Sequence, residues 1–281
     1  MKIALLSYHK WVENESAFAA ELPKYFNAEA VVWNDPSVNW ANYDCLIFRS
    51  IWDYFEHPVA FDAWLNELER LNIKTLNPLS IIKRNQHKFY LSDLEQQGID
   101  IIPTVFIPKN TGLDLSFLKE KNWGKAVIKP AVSAGAYLTK LFSLDDISEI
   151  EAEYTPIALE RDLLVQPFMP EIQEMGEISL VFFNAKFSHA ILKKPKEGDF
   201  RIQSQFGGQY QAFSPDASLV ATAENIVKTF SNDLLYARVD GILKNGKFLL
   251  MELELIEPDL YFDYHSEAKN NFLSALEAMI A

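Results

Sequence analysis

Three acidic side chains stand inside apolar runs near the C-terminal end. Asp240 lies in Tyr236-Ala237-Arg238-Val239-Asp240-Gly241, and Glu252 and Glu254 lie in Phe248-Leu249-Leu250-Met251-Glu252-Leu253-Glu254-Leu255-Ile256. The Asn245-Gly246 pair between the runs is a turn signal, so the segment reads as a β-hairpin. Strand side chains repeat every two residues, which puts Glu252 and Glu254 on one face and Leu253 and Leu255 on the other. Two carboxylates about 7 Å apart on a strand repel each other, and burying them requires a cation or basic groups between them. Hard oxygen ligands of this kind suit Mg²⁺ or Mn²⁺. On a solvent-facing strand edge the same glutamates would need no partner.

Register decides whether Asp240 joins them. A strict two-residue turn pairs Lys244 with Lys247 and sets Asp240 opposite Met251, which leaves it on the face away from the glutamates. A shift of one residue brings Asp240 opposite Glu252. The hairpin is therefore expected to contain either a three-residue Asn245-Gly246-Lys247 loop or a bulge farther along.

The elements that must position this hairpin belong to a chain of 281 residues, 49% hydrophobic and 13% aromatic, long enough for two or three sub-domains with sizeable cores. The longest apolar runs are far shorter than a membrane span and the N-terminal run is too brief for a secretory signal, so a cytoplasmic protein without a membrane partner is expected. The single cysteine, Cys45, adjoins an apolar run and agrees with a reducing compartment. A formal net charge of −13 argues against nucleic-acid binding. The five histidines show no metal-type spacing, and no Walker loop, GxGxxG or GxSxG motif occurs.

The N-terminal part alternates strand and helix: strands over Lys2 to Ser7, Ala28 to Trp33 and Asp44 to Arg49, helices over Glu15 to Phe26 and Pro58 to Leu71, and a short strand at Thr75-Leu76. That pattern predicts a small parallel α/β layer, which meets ligands beyond the carboxyl ends of its strands. Arg49, Trp52, Asp53 and Tyr54 stand there as candidate substrate contacts. A surface loop packed by its own aromatic rings would need no such role.

Asn77-Pro78 opens a helical stretch from Leu79 to Gln97 that Gly98 closes. Strands are expected at Ile101 to Ile107, Ala126 to Pro130 and Tyr137 to Phe142. The small-residue linker containing Ser133, Ala134 and Gly135 lets backbone N–H groups approach an anion. Gln166-Pro167-Phe168-Met169 ends a strand at a proline-bounded connection, Ile178 to Phe183 is an apolar strand, and Lys193, Lys194, Lys196 and Arg201 form a local basic excess. Helices are expected over Asp216 to Asn232 and Ser266 to Met279.

Taken in order, these segments resemble the ATP-grasp superfamily, which includes D-alanine–D-alanine ligase, glutathione synthetase and the ligase that closes the cycloserine ring. Nearly the whole chain takes part, and its closest likeness is to the branch near the cyclo-ligase and the glutathione synthetase-like proteins. The resemblance implies an α/β chain of ATP-grasp fold: a pre-ATP-grasp α/β domain over residues 1–78, a lid sub-domain with its connecting helix over 79–165, and a core with the metal hairpin over 166–281. It assigns ATP to Lys88, Lys129, the Ser133-Ala134-Gly135 loop, Gln166 to Met169 and Glu177, the transferring phosphoryl group to Arg201, and Mg²⁺ or Mn²⁺ to Asp240, Glu252 and Glu254. The implied reaction activates a small carboxylate as an acyl phosphate for attack by an amine, giving an amide. A kinase acting on a small alcohol and a non-catalytic nucleotide-binding module are the alternatives, and a homo-oligomer stays open. Glu254 stands where many relatives carry Asn, and Ile256-Glu257-Pro258-Asp259 replaces their small-residue turn, so the substrate side cannot be copied from them.

Overall fold

Three sheets carry the chain in the computed structural model, which describes residues 1–196, 198–199 and 201–280. The first sheet is wholly parallel, with β1 (Ile3–Ser7), β2 (Ala28–Val32), β3 (Cys45–Ser50) and β4 (Lys74–Leu76) in the order β2-β1-β3-β4. Strand alternation splits it between two cores. Ile3, Leu5, Cys45 and Ile47 pack with helix α1 (Val12–Glu21), while Ala4, Leu6, Leu46 and Phe48 pack with α2 (Pro58–Leu71) through Phe61, Trp64, Leu65 and Leu68.

The helical stretch expected from Leu79 to Gln97 is two helices, α3 (Leu79–Asn85) and α4 (Tyr90–Gln96). The break has a function in the fold: the Lys88 N–H donates to the Ala131 carbonyl (2.9 Å) instead of continuing a helix, which fixes Lys88 beside the small-residue linker. The second sheet is antiparallel, β5 (Val105–Ile107), β6 (Lys125–Pro130), β7 (Lys140–Ser143) and β8 (Leu163–Pro167) in the order β5-β8-β6-β7, with the short α5 (Phe117–Glu120) and α6 (Ile147–Glu160) on it. The strands at 101–107 and 137–142 are shorter than the sequence pattern suggests. Residues 131–139 remain a loop.

After the short α7 (Glu171–Glu174), a third, antiparallel sheet is built from β9 (Glu177–Phe183), β10 (Lys186–Lys194), β11 (Gln209–Phe213), β12 (Tyr236–Lys244) and β13 (Lys247–Glu254), in the order β11-β10-β9-β12-β13. One face packs on α8 (Ala217–Phe230) and α4, where Tyr90, Leu91 and Leu94 meet Leu180, Phe182 and Val239. The connecting helices thus pack on this sheet, while Phe89 between them also meets Phe106 of the second. On the other face Val181 and Phe183 meet α9 (Ala268–Ile280) and the first sheet. The outer edge of β13 is closed by side chains: Asn85 bonds the Leu253 carbonyl and the Leu255 N–H (2.8 and 2.9 Å), and the Tyr90 hydroxyl bonds both backbone groups of Leu253.

The β12–β13 hairpin keeps the tight turn and takes the bulge. Asn245 and Gly246 sit at φ 52° and 76°, Lys244 pairs with Lys247, and Gly241 still faces Leu250. Met251 is then the extra residue, and Asp240 faces Glu252. The three-residue loop does not form, because left-handed Asn-Gly turns already match the twist of paired strands. A Cβ at Gly241 would meet the Leu249 carbonyl oxygen and the Phe248 ring at 2.4 Å, so the register shift sits beside a position without room for a side chain. Gly241→Ala is expected to destabilise the protein by about 1–3 kcal/mol, as overpacking does. An unchanged urea midpoint would show that the bulge relaxes freely.

Candidate active site

Because β12 and β13 pair Asp240 with Glu252 and Arg238 with Glu254, four charged side chains share one face of the third sheet. Ser179, opposite Asp240, and the Glu177–Lys193 pair on β9 and β10 continue that face. Together they floor a cavity of about 670 Å³ whose roof is the 133–139 loop and the Gln166–Met169 segment.

The charges are paired. Arg238 donates to both Asp240 oxygens (Nε 3.1 Å, Nη2 2.9 Å) and to Glu254. Asp240 also accepts from the Ser179 hydroxyl and lies 3.6 Å from Lys193, which reaches Glu177 at 2.5 Å. Lys88 bonds Glu252 (2.9 Å) and the Ser133 carbonyl (2.5 Å). Burial works to raise Asp240, but Arg238 and Lys193 outweigh it and hold the carboxyl at about 2. Burial pushes Glu254 up to about 8 against the pull of Arg238, with Asp240 and Glu252 adding to the rise. Burial also lifts Glu257 to about 8, helped by Glu254.

Lys129 differs from the other ammonium groups here. It lines the cavity from β6, and burial lowers its pKa, with Glu252 opposing and Lys88 adding to the shift. Among the described residues its ammonium has no hydrogen-bonded or ion-paired partner. A desolvated cation beside a loop of small residues fits a polyphosphate. For a divalent metal the oxygen chemistry fits, since Asp240, Glu252 and Glu254 all line the cavity. Their oxygens are held by Arg238 and Lys88, however, and among the described residues no group of three or more His, Cys, Asp or Glu side chains is placed to hold a metal as it stands.

Ser133, Ala134, Gly135, Gln166, Pro167, Phe168, Met169, Glu177 and Arg201 all border the cavity. Ser133 turns its hydroxyl to the Pro130 carbonyl (3.0 Å), Gln166 donates to Thr104 (2.9 Å), and Glu177 is engaged by Lys193. Arg201 is tied to Asp199 (2.8 Å) and lies over the Phe206 ring; Glu197, its other nearby acidic neighbour in sequence, falls outside the described residues.

Of the four substrate candidates, Trp52 and Tyr54 line the cavity and two do not. Arg49 follows Cys45 and Ile47 onto the α1 side of β3, where it bonds Glu15 (3.1 Å) among the rings of Phe18, Phe262 and Phe272. Asp53 accepts from the Trp33 indole (2.7 Å) and is part of the packing beneath the loop. Arg238 and Lys193 were absent from the site expected on sequence. The signal for Arg238 was its spacing of two from Asp240, which puts both on one strand face.

The raised Glu257 carries a stability consequence. Its folded pKa lies above the ordinary 4.5, so the folded state binds the extra proton and stability is lost as pH rises from 4.5 to about 8. Glu257→Gln is expected to melt above wild type at about pH 8.5 and level with it near pH 4.5. Parallel melting curves at both pH values would contradict the burial of this carboxylate.

Comparison with known proteins places the architecture. The chain has the ATP-grasp fold: it superposes on a D-alanine–D-alanine ligase from Bacillus anthracis with a TM-score of 0.75 at 17% identity, covering 100% of this chain and 96% of that one, and on the ATP-grasp ligase PsnB with a TM-score of 0.67 at 14% identity, covering 99% and 98%. Within that class the chain is also similar to the D-cycloserine synthetase DcsG, whose crystal structure matches with a TM-score of 0.89 at 22% identity over 100% of both chains. Residues 3–77 match the model of the D-cycloserine synthetase DcsG N-terminal domain. The cycloserine biosynthesis protein DcsG of Streptomyces lavendulae is 26% identical over 267 residues, 89% of this chain and 87% of that protein. Among the described residues no helix is long and apolar enough to cross a membrane.

Proposed function

We propose that this chain is an ATP-dependent carboxylate–amine ligase, which converts a small carboxylic acid to an acyl phosphate and passes the acyl group to an amine. The observation that carries this reading is the unpartnered Lys129 ammonium facing a floor of paired charges in an ATP-grasp cavity. Phosphoryl transfer needs alignment and charge neutralisation more than covalent help. Lys88 and Lys129 hold the phosphates, the 133–135 loop and the Gln166–Met169 segment cover the nucleotide and exclude water, and Glu177 faces the ribose. Arg238 and Arg201 offer donors to the negative charge that develops on the acyl oxygen and on the leaving phosphate. Asp240, Glu252 and Glu254 would hold Mg²⁺ or Mn²⁺, which neutralises phosphate charge when bound. Trp52 and Tyr54 meet the substrate. The three sheets support a division at residues 1–78, 79–165 and 166–281.

Hydroxylamine tests the reading, because it intercepts acyl phosphates as hydroxamates. Protein supplied with ATP, Mg²⁺, hydroxylamine and a panel of small carboxylic acids is expected to yield a hydroxamate in step with ADP. ADP accompanied by a phosphorylated alcohol and no hydroxamate would point to a kinase instead.

A further inference from the structure

Lys88 sits at a junction between two sheets. On one side of it Asn85 and Tyr90 grip the backbone of Leu253 and Leu255 at the edge of the third sheet. On the other side, among the described residues, one backbone hydrogen bond joins the α3–α4 break to the lobe of the second sheet, from the Lys88 N–H to the Ala131 carbonyl (2.9 Å). His87 adds a side-chain bond beside it, between Nε2 and Oδ2 of Asp162 at 2.8 Å. The Phe89 N–H points at Nδ1 (3.4 Å), which leaves Nε2 as the nitrogen that donates. Asp162 is itself the place where three strand ends of that lobe meet. Its carbonyl accepts from the Ala131 N–H after β6 (2.8 Å), its Oδ1 accepts from the Lys109 N–H after β5 (2.8 Å), and β8 starts at the next residue. The His87 ring rests edge-on against Phe89 (4.7 Å), and Phe89 against Phe106 of β5 (5.1 Å).

The pair is placed for geometry more than for stability. Its side chains are 33% and 26% exposed, and ion pairs in contact with water contribute little to folding. A single hydrogen bond fixes a distance, and a second one displaced from it fixes an orientation. Orientation matters at Lys88, whose ammonium is aimed at Glu252 and the Ser133 carbonyl and is near enough to Lys129 for the two charges to repel. Like charges keep a set spacing only where the backbone imposes it, so side chains aimed at a ligand need a second layer of contacts that locks them. Resting on the ligase reading, we propose that His87 and Asp162 are positioning residues for the nucleotide: their hydrogen bond locks the Lys88 backbone against the lobe that carries Lys129, so that both ammonium groups meet the phosphates at a fixed spacing. Neither is among the described residues that line the cavity, so both act through Lys88.

Calorimetry on the full chain with Mg²⁺ compares ADP with adenosine, which carries no phosphate for Lys88 to meet. His87→Leu is expected to weaken ADP binding about tenfold, the scale of a misplaced charge-assisted contact, and to leave adenosine within about twofold of wild type. His87→Gln keeps an N–H at similar reach and should bring ADP back to within about twofold of wild type. In an Asp162→Ala background His87→Leu should cost nothing further, as for two partners in one bond. A cooperative melt shows that each variant is folded, and Asp162→Ala tests the bond from its other end if His87→Leu does not fold. Wild-type ADP affinity in His87→Leu, an equal loss for ADP and adenosine, or no rescue by His87→Gln overturns the positioning role. Lys88→Met separates this role from the reading beneath it. Unchanged ADP affinity in Lys88→Met removes Lys88 from the phosphates and the proposal with it, whereas the hydroxamate assay reports on the ligase reading independently.

Discussion

Arg238→Lys is expected to lower turnover by about 10²- to 10³-fold, the cost of losing one well-placed donor to developing negative charge. The guanidinium is unusual in serving three oxygens of two carboxylates at once, both of Asp240 and one of Glu254, while Nη1 reaches the Asp259 carbonyl at 3.0 Å. Its planar fork therefore links the hairpin face to the turn that carries Glu257. A lysine keeps the charge and loses the fork, so it cannot span those partners together. ATP affinity should stay near the wild-type value, since the phosphates are assigned to Lys88 and Lys129. The decisive comparison is kcat against nucleotide Kd in the same preparation. Full turnover in Arg238→Lys would remove this residue from the chemistry and leave it as a strand-to-turn tie.

The acidic hairpin was legible because strand periodicity is rigid: once Asp240, Glu252 and Glu254 are required on one face, counting demands one extra residue, and Met251 supplies it. Where the bulge falls was not legible, since a tight Asn-Gly turn and a longer loop satisfy the same count. Local pattern alone puts Lys88 in one long helix, because it carries no record of the Ala131 carbonyl that interrupts it. Arg49 shows the complementary limit. Its position at a strand end suggested a ligand contact, but the face it takes is set by Cys45 and Ile47 packing toward α1, and Glu15 then satisfies its charge inside the fold. Trp52 and Tyr54, two and four residues beyond the strand, escape that alternation and reach the cavity. The substrate turn at Glu257 was visible as a departure from relatives, and its chemistry became readable only with the first sheet folded against it.

Lys129→Met should produce two opposite effects from one cause. Burial disfavours the charge of the Lys129 ammonium, with Glu252 only partly compensating and Lys88 adding to the effect, so its folded pKa lies below the ordinary lysine value. A lysine with a lowered folded pKa destabilises the fold at every pH below that value. Methionine removes the penalty and fills much of the same volume, so the nucleotide-free variant is expected to melt above wild type. Polyphosphate binding supplies the missing counter-charge in the wild-type protein, and that gain disappears with the ammonium. ATP should then bind the variant more weakly by roughly 2 kcal/mol, about thirtyfold, on the scale of a lost charge-assisted hydrogen bond. Thermal melts with and without ATP measure both effects in one experiment. A variant less stable than wild type when free, or stabilised by ATP as strongly as wild type, would show that Lys129 has a partner in the fold and that the phosphates are held elsewhere.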